Sequence, residues 1–136
     1  MYGDTAAGRK RVAQLREQGG DVRALAARLV SQAEAVPWHG KAAESMRERI
    51  RERAGHLRAA AAQHDTAADS LAAHLVEVDR LKEVIDLRSR KATTLVEDAR
   101  TRTSEGTGDG ADAALVAFDP PPAGHRDWLT LDLPGL

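Results

Sequence analysis

Chemistry in this chain would have to start from its histidines, serines, acids and glycines, and their spacing fits none of the familiar uses. His39, His56, His64, His74 and His125 include no H-E-x-x-H pair, which would set two imidazoles one helical turn apart for a metal. No Glu-x-x-His pair of the di-iron bundle kind occurs either. His64 falls on an apolar seven-residue row, where a histidine more commonly sets register or bonds its own backbone than holds a metal. Glu77, Asp79, Glu83 and Asp86 scatter around a helix and read as a solvated face. Ser31, Ser45, Ser70, Ser89 and Ser104 stand in helical or linker surroundings, without a nucleophile elbow or a glycine-rich oxyanion loop. The glycines around Gly108 lack the Gly-Lys-Ser/Thr that completes a phosphate loop. The chain has no cysteine, hence no disulfide, thiolate metal site or thiol nucleophile. These residues predict no enzyme, no metal and no cofactor.

Nucleic-acid binding has one argument in its favour, the cluster Arg47, Arg49, Arg51, Arg53 and Arg58. Glu44, Glu48 and Glu52 cancel much of that charge, and no aromatics interleave for base stacking. The cluster reads as a salt-bridged exposed helix face, and no nucleic-acid partner is expected.

The elements that must carry any function are helical. Aromatic residues are 3% of the chain and its apolar content is largely alanine, which suits a narrow helix–helix seam better than a thick core. Val36-Pro37-Trp38-His39-Gly40 is the one strong break between two long amphipathic segments. Pro37 removes an amide hydrogen and pushes Val36 out of helical geometry. Gly40 permits the positive φ of a chain reversal. Trp38 at this bend has two readings, a hydrophobic plug or a half-exposed recognition element.

The fold class that follows is all-α: an antiparallel helical hairpin, residues 5–103, with arms 5–36 and 41–103 and a bend at 37–40. In the first arm Leu15, Val22, Leu29 and Val36 stand seven apart, with Val12, Leu25 and Ala33 between them. That phase survives Gly19-Gly20, which predicts one arm with a weak joint where Asp21 could cap a restarted helix. In the second arm Ala43, Ile50, Leu57, His64, Leu71, Val78, Ile85, Ala92 and Ala99 hold strict seven-residue spacing. Met46, Ala60, Ala67, Leu81 and Leu95 form an offset row three residues on. Without a proline from Lys41 to Glu105, this helix would reach roughly 90 Å. Pairs such as Glu44/Arg47 and Glu48/Arg51 add a little support.

A bend centred on Trp38 and His39 pairs residues whose numbers sum to about 77. Val22 then meets Gly55, Val12 meets Asp65, and the first arm is used up near Ala72. Val22, Leu25, Leu29, Ile50, Leu57 and Leu71 are expected to line the seam. Leu75, Val78, Leu81 and Ile85 overhang it and should contact a second chain or the folded-back tail.

Residues 104–136 read as a flexible acidic linker followed by a Pro/Trp-containing tail, with a net charge of about −5 against about +4 elsewhere. Ala113 to Phe118 could add a helical turn, and Pro120-Pro121-Pro122 favours extended polyproline. Trp128, Leu129, Leu131 and Leu133 are too apolar for an inert end and are expected to dock on the second helix or on a partner. No segment reaches the roughly 18 apolar residues of a membrane span. Arg9-Lys10-Arg11 is followed by no apolar run, so export, if it occurs, is not expected to use the ordinary secretory signal.

Pro37, Trp38 and Gly40 at a bend between heptad arms, followed by Ala42-Ala43, resemble the Trp-x-Gly (WXG) helical-hairpin family of type VII secretion, the early-secreted-antigen-like proteins. The resemblance covers roughly residues 21–84. It implies a hairpin that pairs with itself or a sister WXG-like protein into a four-helix bundle, is recognised by a secretion ATPase, and is exported folded. Family export uses a Tyr-x-x-x-Asp/Glu signal just after the second helix, whereas the one tyrosine here is Tyr2. The resemblance therefore implies either a partner that supplies the signal or a protein that stays in the cytoplasm. The long second arm and tail suit a companion or chaperone of a larger secreted protein. The alternative is a cytoplasmic structural or adaptor coiled coil with no secretion role.

Overall fold

The computed structural model describes residues 4–136; Tyr2 lies outside the described residues. The described chain is helical, with α1 over Thr5–Ala35, α2 over Lys41–Ser104, α3 over Gly110–Val116 and a single 3-10 turn at Arg126–Leu129. No strand forms among the described residues. The fold divides into two compact units, Ala6–Leu75 and Val76–Leu136 with Thr5, and α2 contributes to both.

In the first unit α1 packs antiparallel along α2. α1 is unbroken across Gly19-Gly20, the single arm that the seven-residue phase predicts, and no new helix starts at Asp21. The reason is packing. Val12, Gly19, Ala26 and Ala33 are the buried residues of α1 here, spaced by seven, and at Gly19 the α2 backbone lies close. A Cβ on Gly19 would stand 3.3 Å from the Ala61 carbonyl oxygen and 3.4 Å from the His64 Cβ. Gly55, expected to be the close approach, has nothing within 4 Å of its would-be Cβ.

On α2 the deepest positions facing α1 are Ala43, Ala54, Ala61 and Ala68. The offset row that packs is therefore one residue beyond the expected one: Ala68 is buried and Ala67 exposed. Alanine wins these places because a small side chain lets two helix backbones approach, while bulkier residues fit at the flanks. The pairing also lies further along α2 than a bend centred at Trp38 predicts. Val12 clusters with Ala68 and Leu75, and Arg16 reaches Asp69 at 3.4 Å. Side chains lean toward the N-terminus of their own helix, which in an antiparallel pair displaces contacts away from the bend on α1 and toward it on α2.

In the second unit the Thr5 hydroxyl donates to Asp79 at 3.1 Å. The segment read as a linker takes the form of a hydrogen-bonded turn leading into α3. Gly106, at φ 78°, closes α2 with Gly106 N–H bonded to the Thr103 carbonyl and Thr107 N–H to the Arg102 carbonyl. That pair of bonds is the Schellman stop, which satisfies carbonyls the helix end leaves open. Asp109 then caps α3 in a reciprocal box with Asp112.

Candidate interaction sites

The bend is built by one arginine. Trp38 N–H bonds the Val36 carbonyl at 2.8 Å, closing a three-residue turn around Pro37. The Arg47 side chain folds back under it, donating from Nη2 to the carbonyls of Val36 at 2.8 Å and Trp38 at 2.7 Å. Its Nε donates to the Ala33 carbonyl at 3.3 Å, and Nη1 to Glu44 at 3.2 Å. A cation here satisfies open carbonyls at the negative end of α1. Gly40 takes φ 104° and its carbonyl accepts from Glu44 N–H at 3.1 Å, starting α2. On this clamped turn Pro37 is exposed and the Trp38 residue is 55% exposed. Sequence reasoning placed Arg47 in an exposed, salt-bridged face; its side chain is in fact only 12% exposed. The signal lay in its spacing, nine residues after Trp38 on the face returning toward α1.

Of the expected seam residues, Val22, Leu29, Ile50, Leu57 and Leu71 are half-buried flanks of the alanine row, and Leu25 is 43% exposed. Leu25 is therefore not a seam residue: it stands beside Ala26, which occupies the buried heptad position. Ion pairs bridge the two helices, Arg16 to Asp69 and Arg23 to Asp65. His64 bonds the Ala60 carbonyl at 3.0 Å, one turn back on its own helix.

The four expected overhang residues divide. Leu75 belongs to the hairpin core with Val12 and lies over Gly8, where a Cβ would stand 2.5 Å from Leu75 Cδ2. Ile85 is buried against Trp128 and Ala92. Val78 is buried and Leu81 half-buried.

Trp128 is the plug of the tail. It is 3% exposed, packs with Ile85 and Ala92, and is flanked by Phe118, Leu129, Leu131, Leu133 and Leu136. Its indole N–H donates to the Pro122 carbonyl at 3.1 Å, and its ring meets Phe118 edge-on at 6.2 Å. Arg88 holds the backbone from below, with Nε on the Trp128 carbonyl at 2.6 Å and Nη2 on the Leu131 carbonyl. A second clamp pins α3: Arg102 grips the buried Asp112 through both Nε and Nη2, at 3.0 and 2.7 Å. That bonding holds the Asp112 carboxyl below its usual range against the opposing effect of burial, and the Asp109 N–H assists. Neither Arg88 nor Asp112 was singled out from the sequence.

No grouping of three or more His, Asp or Glu side chains suited to a metal occurs among the described residues. No described helix is long and apolar enough to cross a membrane. No protein-family model, curated protein or solved structure matches the chain.

Proposed function

We propose that the chain is a non-enzymatic protein-binding module of the Trp-x-Gly hairpin type, acting in type VII secretion as a substrate or as companion of a larger secreted partner. One observation carries the reading: a tryptophan left half in solvent on a turn that Arg47 holds rigid between antiparallel helices. An exposed tryptophan on a fixed backbone is a low-entropy anchor for a partner, whereas a plug would be buried like Trp128. Leu25, Leu29, Ile50 and Leu57 leave an incompletely covered apolar flank on the hairpin. A second copy or a sister hairpin covering that flank gives a four-helix bundle. Export would then rest on a partner's tyrosine signal and on a secretion ATPase.

The test is localisation. In a bacterium with a functioning type VII system, the chain is expected in the culture medium, and deletion of the secretion ATPase should retain it in the cells. Retention in both strains, with the neighbouring genes expressed, would favour the cytoplasmic adaptor.

A further inference from the structure

We infer that the exposed indole of Trp38 docks in an open apolar notch beside the tail of a second copy of this chain. This docking rests on the reading of Trp38 as a recognition element and not on the secretion assignment.

The notch lies in the second unit, where α2 and the tail meet without closing on each other. Its volume is about 190 Å3, and it is lined by Val96, Phe118 and Trp128, with Thr93, Glu97 and Arg100 among its polar residues. The tail keeps its place around it: Trp128 stays on Ile85 and Ala92, and Phe118 meets it edge-on. A cavity of about 150 Å3 already takes a benzene ring, so this one admits a flat ring system.

The polar residues narrow the occupant. Among the described residues neither the Glu97 carboxylate nor the Arg100 guanidinium has an ion pair or a side-chain hydrogen bond. An acid entering the notch would face Glu97, and an amine would face Arg100. A phenyl ring would cover Glu97 without offering it a proton. An indole suits both, because its N–H donates to a carboxylate while its π face takes a guanidinium.

Trp38 is an exposed indole that the chain itself provides, on a turn that Arg47 fixes. Residues 36–43 around it carry Lys41 and no acid. The notch sets Glu97, and Asp119 between Phe118 and Pro120, against Arg100. Charge therefore favours the approach of the turn. Each chain holds one Trp38 and one notch, so a twofold pair makes the contact twice and leaves neither part open.

Sedimentation equilibrium of the full chain, from micromolar to millimolar concentration, tests the docking. Trp38→Ala removes the ring, and Thr93→Trp fills the notch from an exposed position. Circular dichroism checks the fold, and Glu97→Lys replaces Thr93→Trp if the latter disturbs it. The wild-type chain should dimerise, and each variant should do so at least tenfold more weakly. Mixed together, the two variants should associate with each other, since one keeps an open notch and the other an intact Trp38. A wild-type chain that stays monomeric, a Trp38→Ala chain that dimerises as the wild type does, or a mixture no more associated than its components overturns the docking. Release into the culture medium reports separately on the secretion reading.

Discussion

Gly19 of α1 lies so close to α2 that a methyl group on its Cα would stand 3.3 Å from the Ala61 carbonyl oxygen. The neighbouring Gly20 has nothing within 4 Å of the same point, and neither has Gly55. Two adjacent glycines thus have opposite roles. Gly20→Ala and Gly55→Ala are each expected to stabilise the chain by about 0.5–1 kcal/mol, because alanine loses less backbone freedom in a helix. Gly19→Leu should destabilise it, since only a separation of the helices makes room. Thermal melts of the three variants check the contrast.

Arg47 is predicted to be the structural residue of the bend. Arg47→Ala leaves carbonyls of Ala33, Val36 and Trp38 without their donor and should cost about 1–3 kcal/mol. Arg47→Lys should recover only part of it, because a single ammonium cannot reproduce the planar fork. Chemical denaturation measures the cost, and faster amide exchange at residues 33–40 should accompany it.

The two tryptophans should behave oppositely. Trp128→Ala empties a buried site and is expected to cost about 3–5 kcal/mol, confined to the docking of the tail on α2. With Trp128→Phe, the remaining indole should be readily quenched by acrylamide. With Trp38→Phe it should be protected.

Acid should loosen α3 first. Arg102 holds the Asp112 pKa below its ordinary value of 3.8, so the native state binds this proton less readily than the unfolded chain. The stabilisation is therefore complete above the ordinary aspartate range and lost as the pH falls below it, through the lowered value. Amide-exchange protection of residues 110–116 should hold from neutral pH to about 5 and decline below about 4. In Asp112→Asn that decline should disappear, along with part of the protection at neutral pH.

The helices and the bend were legible because proline, glycine and seven-residue spacing are local signals. Which row sits deepest was not. Hydrophobicity favours Leu25 and Leu29, yet close approach of two backbones selects Gly19, Ala26 and Ala61, and that is a property of the pair. The apolar tail was legible from Trp128 and its leucines. Its order was not, because Gly106 and Asp109 read as linker residues until the Schellman stop and capping box give each a place. Arg47 and Arg88 were hidden for a common reason: both bond backbone carbonyls, which a sequence does not display.

Paired measurements on Trp38→Ala separate recognition of a partner by Trp38 from closure of the hairpin. The melting temperature should stay within about 2 °C of wild type, as expected for a half-exposed side chain, while ATPase-dependent release into the culture medium should fall at least tenfold. Unchanged release, or a melting temperature lowered as far as by Trp128→Ala, would contradict recognition through Trp38.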